Sequence, residues 1–198
     1  MAKTTWKPAA LMAPVPPALV TCGTLESPNV LTVAWTGILS TRPPKTYISL
    51  RPERYSYGII RERGEFAINL TTAALVRAAD FCGVRSGRDT DKFAAAGLTP
   101  EPSSLPGGCP VLAQSPVSVL CRVCEVLPMG SHDVFTADIA GVMVEDRFLD
   151  AAGKLRLEQC GLAAYCHGSY YALGKKLGTM GFSVKKARRK YPDKKTRR

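Results

Sequence analysis

Long apolar runs are missing from this chain. No stretch approaches the roughly 18 consecutive apolar residues that a membrane-spanning helix needs. The opening Met1-Ala2-Lys3-Thr4-Thr5-Trp6-Lys7-Pro8 also lacks the continuous apolar core of a signal peptide. The sequence therefore predicts no membrane span and a cytoplasmic location. Histidine is scarce: His132 and His167 are the only two, and neither accompanies a Gly-x-Ser-x-Gly signature, which argues against Ser/His/Asp hydrolysis. Nucleotide-binding glycine motifs are missing too. Gly168 and Gly174-Lys175-Lys176 have five residues between the glycines and no Ser or Thr after the lysine, so they form no P-loop. No Gly-x-Gly-x-x-Gly follows a strand, which leaves an ordinary dinucleotide-binding α/β domain unsupported.

Cysteine is present in odd number and without a framework. Seven are scattered at positions 22, 82, 109, 121, 124, 160 and 166, which in a chain without a signal peptide predicts reduced thiols rather than disulfides. The single Cys-x-x-Cys, Cys121 to Cys124, lies where Val117, Val119, Cys121 and Val123 alternate with other residues as in a strand. Positions three apart on a strand face opposite sides, so this pair is a poor metal knuckle. No second Cys-x-x-Cys completes a zinc site, and Cys166-His167 reads as structural. No metal is expected.

With 198 residues, 45% hydrophobic and 22% charged, the chain is long enough for one well-packed domain and has the composition of a folded protein. The net charge of +11 is unevenly spread. From Gly174 to Arg198 eleven Lys/Arg stand against one acid, Asp193, whereas Met1 to Leu173 carry sixteen basic and fifteen acidic side chains. The body is nearly neutral, so nucleic acid is disfavoured as the partner of a basic face. The boundary falls between a domain over residues 1–174 and a basic C-terminal extension over 175–198, readable as a solvated tail or as contact with an acidic partner, a membrane surface or nucleic acid.

The first half reads as short strands separated by Pro and Gly. Ala18 to Thr24 and Val30 to Thr36 flank a turn at Ser27-Pro28-Asn29, a hairpin pattern. After Thr41-Arg42-Pro43-Pro44, the residues Thr46, Ile48 and Leu50 alternate with Tyr47, Ser49 and Arg51. Ser56 is placed to N-cap a helix over Tyr57 to Arg63 that stops at Gly64, and Phe66 to Leu70 resumes strand character. Thr71 or Thr72 introduces a helix over Ala73 to Cys82 ending at Gly83; after a polar loop, Asp89 to Gly97 reads as a shorter one. Pro100 to Pro110 reads as irregular. Strands return over Val117 to Val126, Asp133 to Val144 and around Leu155 to Leu157. The expected class is mainly β: an antiparallel Greek-key barrel, closed or partly closed, with short flanking helices.

Within Asn29 to Tyr57 the polar residues suit an anionic, planar ligand. Ser49 and Arg51, two apart on one strand, project from the same face, where a hydroxyl and a forked cation can hold a phosphate. Ser56 at a helix N-terminus would assist. Spacing alone leaves a second reading open: Arg51 paired with Glu53 on the surface, Ser56 only a cap, Trp35 in the core and Ser40-Thr41 a turn.

Several segments resemble one family. Asn29-Val30-Leu31-Thr32-Val33-Ala34-Trp35-Thr36-Gly37, Ser40-Thr41-Arg42-Pro43-Pro44, Tyr47-Ile48-Ser49-Leu50-Arg51-Pro52 with Ser56-Tyr57, and Gly64 to Leu70 are similar in order and spacing to the flavin reductase-like FMN-binding family. Asp91-Lys92-Phe93, Gly130-Ser131-His132-Asp133 and Tyr165…Tyr171-x-x-Gly174 resemble its flavoredoxin-like members. The resemblance covers about Pro14 to Gly174. It implies an FMN-binding split barrel and a homodimer with non-covalent FMN near the subunit interface; it does not by itself fix a reaction, and the reading adopted is an FMN-dependent oxidoreductase that relays electrons in the manner of flavoredoxin-like members. It implies flavin contacts at Asn29, Trp35, Thr36, Ser40, Thr41, Ser49, Arg51, Ser56 and Tyr57, joined by Lys92, His132 and Tyr165. In that reading Arg51 and the hydroxyls suit the phosphate, Trp35 offers an aromatic surface, and Lys92 or protonated His132 stabilises negative charge on the ring, His132 being the one candidate for a catalytic role. No segment reads the adenosine half of a dinucleotide, so a redox partner protein stands beside NAD(P)H as candidate donor. Three alternatives remain: an NAD(P)H-dependent flavin or ferric reductase, a non-redox ligand- or nucleic-acid-binding barrel, and a membrane-associated adaptor that rests only on the basic tail and lacks a lipidation signal.

Overall fold

A computed structural model describes residues 1–184; most of the basic extension, Lys185 to Arg198, lies outside the described residues. Two hairpins begin the chain: β1 (Ala18–Gly23) with β2 (Pro28–Val33), and β3 (Thr36–Thr41) with β4 (Pro44–Leu50). Gly23 permits the first turn, because at φ +90° a side chain would be strained and its Cβ would stand 2.3 Å from the Ser27 carbonyl oxygen. Helix α1 (Tyr55–Arg63) and strand β5 (Glu65–Asn69) follow. A 3₁₀ turn over Ala73–Leu75 leads into α2 (Val76–Val84), and α3 (Lys92–Ala96) is capped by the Asp91 carboxylate accepting from the Phe93 and Ala94 N–H groups. A small ladder joins β6 (Pro100–Glu101) to β7 (Val111–Leu112). The long strands β8 (Val117–Pro128) and β9 (Asp133–Val144) form a hairpin, and β10 (Ala163–Cys166) with β11 (Ser169–Ala172) form a short one.

Seven strands make one antiparallel sheet in the order β2-β1-β5-β8-β9-β4-β3. The Ser49 N–H donates to the Trp35 carbonyl at 2.9 Å and draws the β2–β3 connection against β4. No ladder among the described residues joins β2 to β3 or β4, so the barrel is split rather than closed. Its interior is filled by Val20, Leu31, Ile48, Phe66, Phe135 and others, with Tyr57 and Ile60 of α1 packed among them. Because β1 alternates, Leu19 faces the other way, toward a second cluster built with Ala78, Ala79 and Cys82 of α2 and Phe93 of α3. Both faces of β1 are thus covered, and it is buried throughout. No helix among the described residues is long and apolar enough to cross a membrane.

Four local expectations are corrected. Helix α1 starts at Tyr55, with Arg54 in the N-cap position, so Ser56 lies inside the first turn and its hydroxyl is used elsewhere. The αL stop at Gly64 is as expected, its N–H donating to the Ile60 carbonyl at 2.9 Å. Thr72 precedes the second helical stretch without a side-chain cap, and α2 runs through Gly83 to Val84. Leu155 forms only an isolated bridge with Leu149, and Leu157 opens a 3₁₀ turn; the late strands are β10 and β11 instead. Strand β3 carried no alternating signal because neither of its faces is buried, with Ile38 and Leu39 adjacent and both exposed. By contrast Thr46, Ile48 and Leu50 are buried as their period of two requires, and Cys121 is buried where Cys124 is exposed.

Phe135 is fully buried and meets Tyr57 edge-on at 5.1 Å between ring centroids. Phe135→Ala is expected to cost about 3–5 kcal/mol, read in urea unfolding as a lower midpoint at unchanged slope.

Candidate functional site

Register places the first half of the site. Leu50 of β4 pairs with Asp133 of β9, so Arg51 and His132, the next residues outward on each strand, leave the sheet side by side. The turn that delivers His132 is closed by the Met129 N–H donating to the His132 carbonyl at 2.9 Å. The Ser49–Trp35 backbone bond brings the indole to the same end, where it stacks on the His132 ring at 4.4 Å with a 38° tilt. These groups wall a cavity of about 480 Å³, completed by apolar Leu31, Val33 and Val84 and by Tyr165 and Tyr170 of the β10–β11 hairpin. It is a trough with aromatic and apolar sides.

A second cavity of about 520 Å³ adjoins it, sharing Leu31, Arg51, Arg54 and Val84. Its wall carries Arg51, Arg54, Arg85, Arg88 and Lys92 against Glu53 and Asp89. The N-terminal residues of α1, Tyr55 and Ser56, also line it, and that helix has neither a side-chain cap nor an acid in its first turn. Helix N-termini attract anions through free N–H groups and the dipole. The basin is therefore cationic from both side chains and backbone.

The predicted residues divide three ways. Trp35, Ser49, Arg51, His132 and Tyr165 line the trough; Arg51, Ser56 and Lys92 line the basin. Asn29 lies beneath, its Nδ2 donating to Ser56 Oγ at 2.6 Å, and borders a third hollow with Lys92. Thr36, Ser40, Thr41 and Tyr57 line neither cavity. Thr36 Oγ1 donates to the Tyr47 carbonyl at 2.5 Å, and Ser40 Oγ accepts from the Arg42 N–H at 3.3 Å. Thr41 is exposed at the tip of the β3–β4 hairpin. Tyr57 donates to Asp133 Oδ2 at 2.5 Å, and that bond, with burial, raises its pKa.

Lys92 is 5% exposed, yet no carboxylate meets it among the described residues: Nζ donates to the Val30 carbonyl at 2.6 Å and the Cys82 carbonyl at 3.1 Å. Burial pushes its pKa down. An ammonium has three donors, so one remains for a ligand. His132 is also lowered, by burial first and then by the Arg51 charge, while its Nδ1 shares a hydrogen bond with Ser131 Oγ at 3.0 Å. The buried Cys22 thiol beside Asn29 is pushed up to about 11 by desolvation and stays protonated at neutral pH.

Sequence reasoning missed Arg54, Arg85 and Arg88. The usable signal was Arg85-Ser86-Gly87-Arg88 in the short loop between α2 and Asp91-Lys92-Phe93. Gly87 lets that loop lie against the site floor, since a Cβ there would stand 2.2 Å from Asn29 Oδ1 and 3.0 Å from Tyr55 Cδ1. Arg88 sits over the Tyr55 ring at 5.8 Å, and Arg54 Nη1 donates to the Gly83 carbonyl at 3.0 Å, tying α1 to α2.

Residues 11–174 match the flavin reductase like domain. The chain belongs to the flavin reductase-like family. Among solved structures, flavoredoxin of Desulfovibrio vulgaris (Miyazaki F) superposes with a TM-score of 0.84 at 30% identity, over 93% of this chain and all of that one. Flavoredoxin from Methanosarcina acetivorans shares the fold, with a TM-score of 0.81 at 21% identity over 93% and 100% of the two chains. A Streptomyces viridifaciens protein named NADPH-flavin oxidoreductase is 31% identical over 124 residues, 62% of each chain. An uncharacterized Aeropyrum pernix protein is 33% identical over 139 residues, which span 70% of this chain but only about half, 52%, of that protein.

The depressed His132 pKa means that the fold favours the neutral ring. Its contribution to stability is complete above the ordinary imidazole value of about 6.5 and is lost as pH falls through the lowered one. An NMR titration is expected to place the His132 midpoint below that ordinary value, and Arg51→Gln to move it upward.

Proposed function

We propose that this chain is an FMN-dependent oxidoreductase that relays electrons through non-covalently held flavin. One observation carries the reading: an aromatic and apolar trough runs into a cationic basin, with Arg51 and Arg54 at the junction. That order of surfaces fits a planar ring system joined to a phosphate. The donor set supports the fit. The free donor of Lys92, the Arg51 guanidinium, the Ser56 region and the uncapped start of α1 can together meet a phosphate dianion, and Lys92 does so with no carboxylate of its own to compete. The dianion in turn favours the charged form of Lys92, which burial alone disfavours.

FMN, when bound, supplies the capacity to take up and pass on one or two electrons. The chain's residues hold and surround it. Trp35, stacked on His132, presents a rigid aromatic wall, while Leu31 and Val84 exclude water from one side of the trough. His132, kept neutral near pH 7 by burial and Arg51, is available to hold a proton as the pH falls. Asn29 braces Ser56 from below rather than facing the ligand.

A homodimer fits the exposed apolar residues of the sheet, Ile38 and Leu39 on the edge strand β3 and Val142 and Met143 on β9. A second reading, an NAD(P)H-dependent flavin reductase, is favoured by the name of the Streptomyces viridifaciens relative. The alternative donor is a redox partner protein.

The purified protein is expected to be yellow or to take up FMN with quenching of its fluorescence; a protein that binds no FMN refutes the proposal. Arg51→Ala is expected to weaken FMN binding by about 1.5–3 kcal/mol, the worth of hydrogen bonds to charged groups, and unchanged affinity removes Arg51 from the site. In stopped-flow, bleaching of the bound flavin by NADH or NADPH within a turnover time favours the reductase; no bleaching by either, with reduction by a protein donor, favours the carrier.

A further inference from the structure

The trough is electrically lopsided. At its junction with the basin stand Arg51 and Arg54, near the C-terminal residues Gly83 and Val84 of α2. One helical turn back along α2, about 4.5–6 Å by helix rise, Asp80 lines the same trough. Its carboxylate forms no ion pair: the salt bridges among the described residues are Lys45–Asp138 and Arg147–Glu145. Its one hydrogen-bond partner among the described residues is Tyr170 of the β10–β11 hairpin, whose hydroxyl donates to Asp80 Oδ1 at 3.4 Å. Burial, and then Asp80, push the Tyr170 phenol up to about 12, so it remains a donor across the ordinary pH range. Tyr165 packs on Tyr170 at 5.1 Å and is itself held by backbone bonds to Val15. The hairpin thus backs an unneutralised carboxylate that faces the cavity.

Nothing in phosphate recognition calls for that charge, because an acid beside an anion-binding basin works against affinity. Its sign bears on electron transfer. Each reduction by a hydride donor brings two electrons and one proton, and so leaves one more unit of negative charge in the trough. A nearby carboxylate repels that added charge in proportion to the inverse of distance and dielectric, whereas it acts on the oxidised, neutral ring much less. We propose that Asp80, held by Tyr170, disfavours the reduced state of the bound flavin and so makes this protein a stronger reductant than the rest of its site would. The inference rests on the flavin reading above. Arg51 and Arg54 act in the opposite sense from the phosphate end, and neutral His132 adds no charge near pH 7; Asp80 is the acid that α2 contributes to the trough, and Tyr170 the hairpin group facing it.

The test uses the full chain saturated with FMN. Fluorescence quenching first establishes FMN uptake by the wild type, by Asp80→Asn and by Asp146→Asn, an exposed carboxylate that lines no part of the trough. Reduction by xanthine and xanthine oxidase with a reference dye then gives the ratio of reduced to oxidised flavin at a common potential. Asp80→Asn is expected to bind FMN and to raise that ratio about threefold, which is about 14 mV for a two-electron couple. Asp146→Asn is expected to leave it unchanged, and Tyr170→Phe, which removes the hydrogen bond holding the exposed carboxylate at the trough, to move it the same way as Asp80→Asn by a smaller amount. With FMN bound, an unchanged or lower ratio in Asp80→Asn overturns the proposal and leaves the flavin reading intact, as does an equal rise in Asp146→Asn. Loss of FMN by Asp80→Asn also overturns it, since Asp80 would then be a binding group. A wild-type chain that takes up no FMN removes the flavin reading itself.

Discussion

The pairing of Leu50 with Asp133 is the constraint on which the site depends. It sets β4 against β9 so that two residues far apart in sequence, Arg51 and His132, leave the sheet together. Sheet register is unforgiving: a slip of one residue would turn every side chain of β4 to the other face. It would expose Ile48 and Leu50, both buried in the barrel interior, and bury Ser49. The hydrophobic alternation that fills the core therefore also fixes where the guanidinium points. Packing and the placement of Arg51 are specified by the same strand register.

Electrostatics adds a second constraint, which the core does not share. The basin gathers five basic side chains against two acids, and one of them, Lys92, is buried with only carbonyl partners. Repulsion and desolvation both burden this arrangement when no anion is present. Binding of a dianion relieves them, and a ligand that binds only the native state stabilises it by mass action. Under the proposed function, stability withheld from the free chain would be returned on loading.

Much of this was legible in the sequence, for identifiable reasons. The period of two in Thr46, Ile48 and Leu50 survives because one face of β4 is buried and the other is not. The same alternation foretold that Cys121 and Cys124 would part company. Gly64 announced the end of α1, since its φ of +69° is costly for other residues. What failed was local chemistry read without tertiary partners. Ser56 looked like a cap, but its hydroxyl is engaged by Asn29, 27 positions earlier, and the helix begins without one. Arg85 and Arg88 passed as loop polarity because nothing in their spacing tells that Gly87 lets the loop close onto Asn29. The aromatic side of the trough was only half visible: Tyr165 was named through resemblance, while Tyr170 and Asp80 meet across 90 residues of chain.

The irregular register of β8 near Val123 and Glu125 has a practical corollary. There Cys124 stands exposed at 3.6 Å from the Lys45 ammonium, whereas Cys121, one face away, is sealed in the barrel with its thiol pushed up to about 12 by burial. Thiolate supply and access together govern alkylation. A maleimide dye or spin label would enter at Cys124 and pass over Cys121, giving the outer surface of the long hairpin a natural handle for spectroscopy once the half-buried Cys166 of the β10–β11 hairpin is replaced.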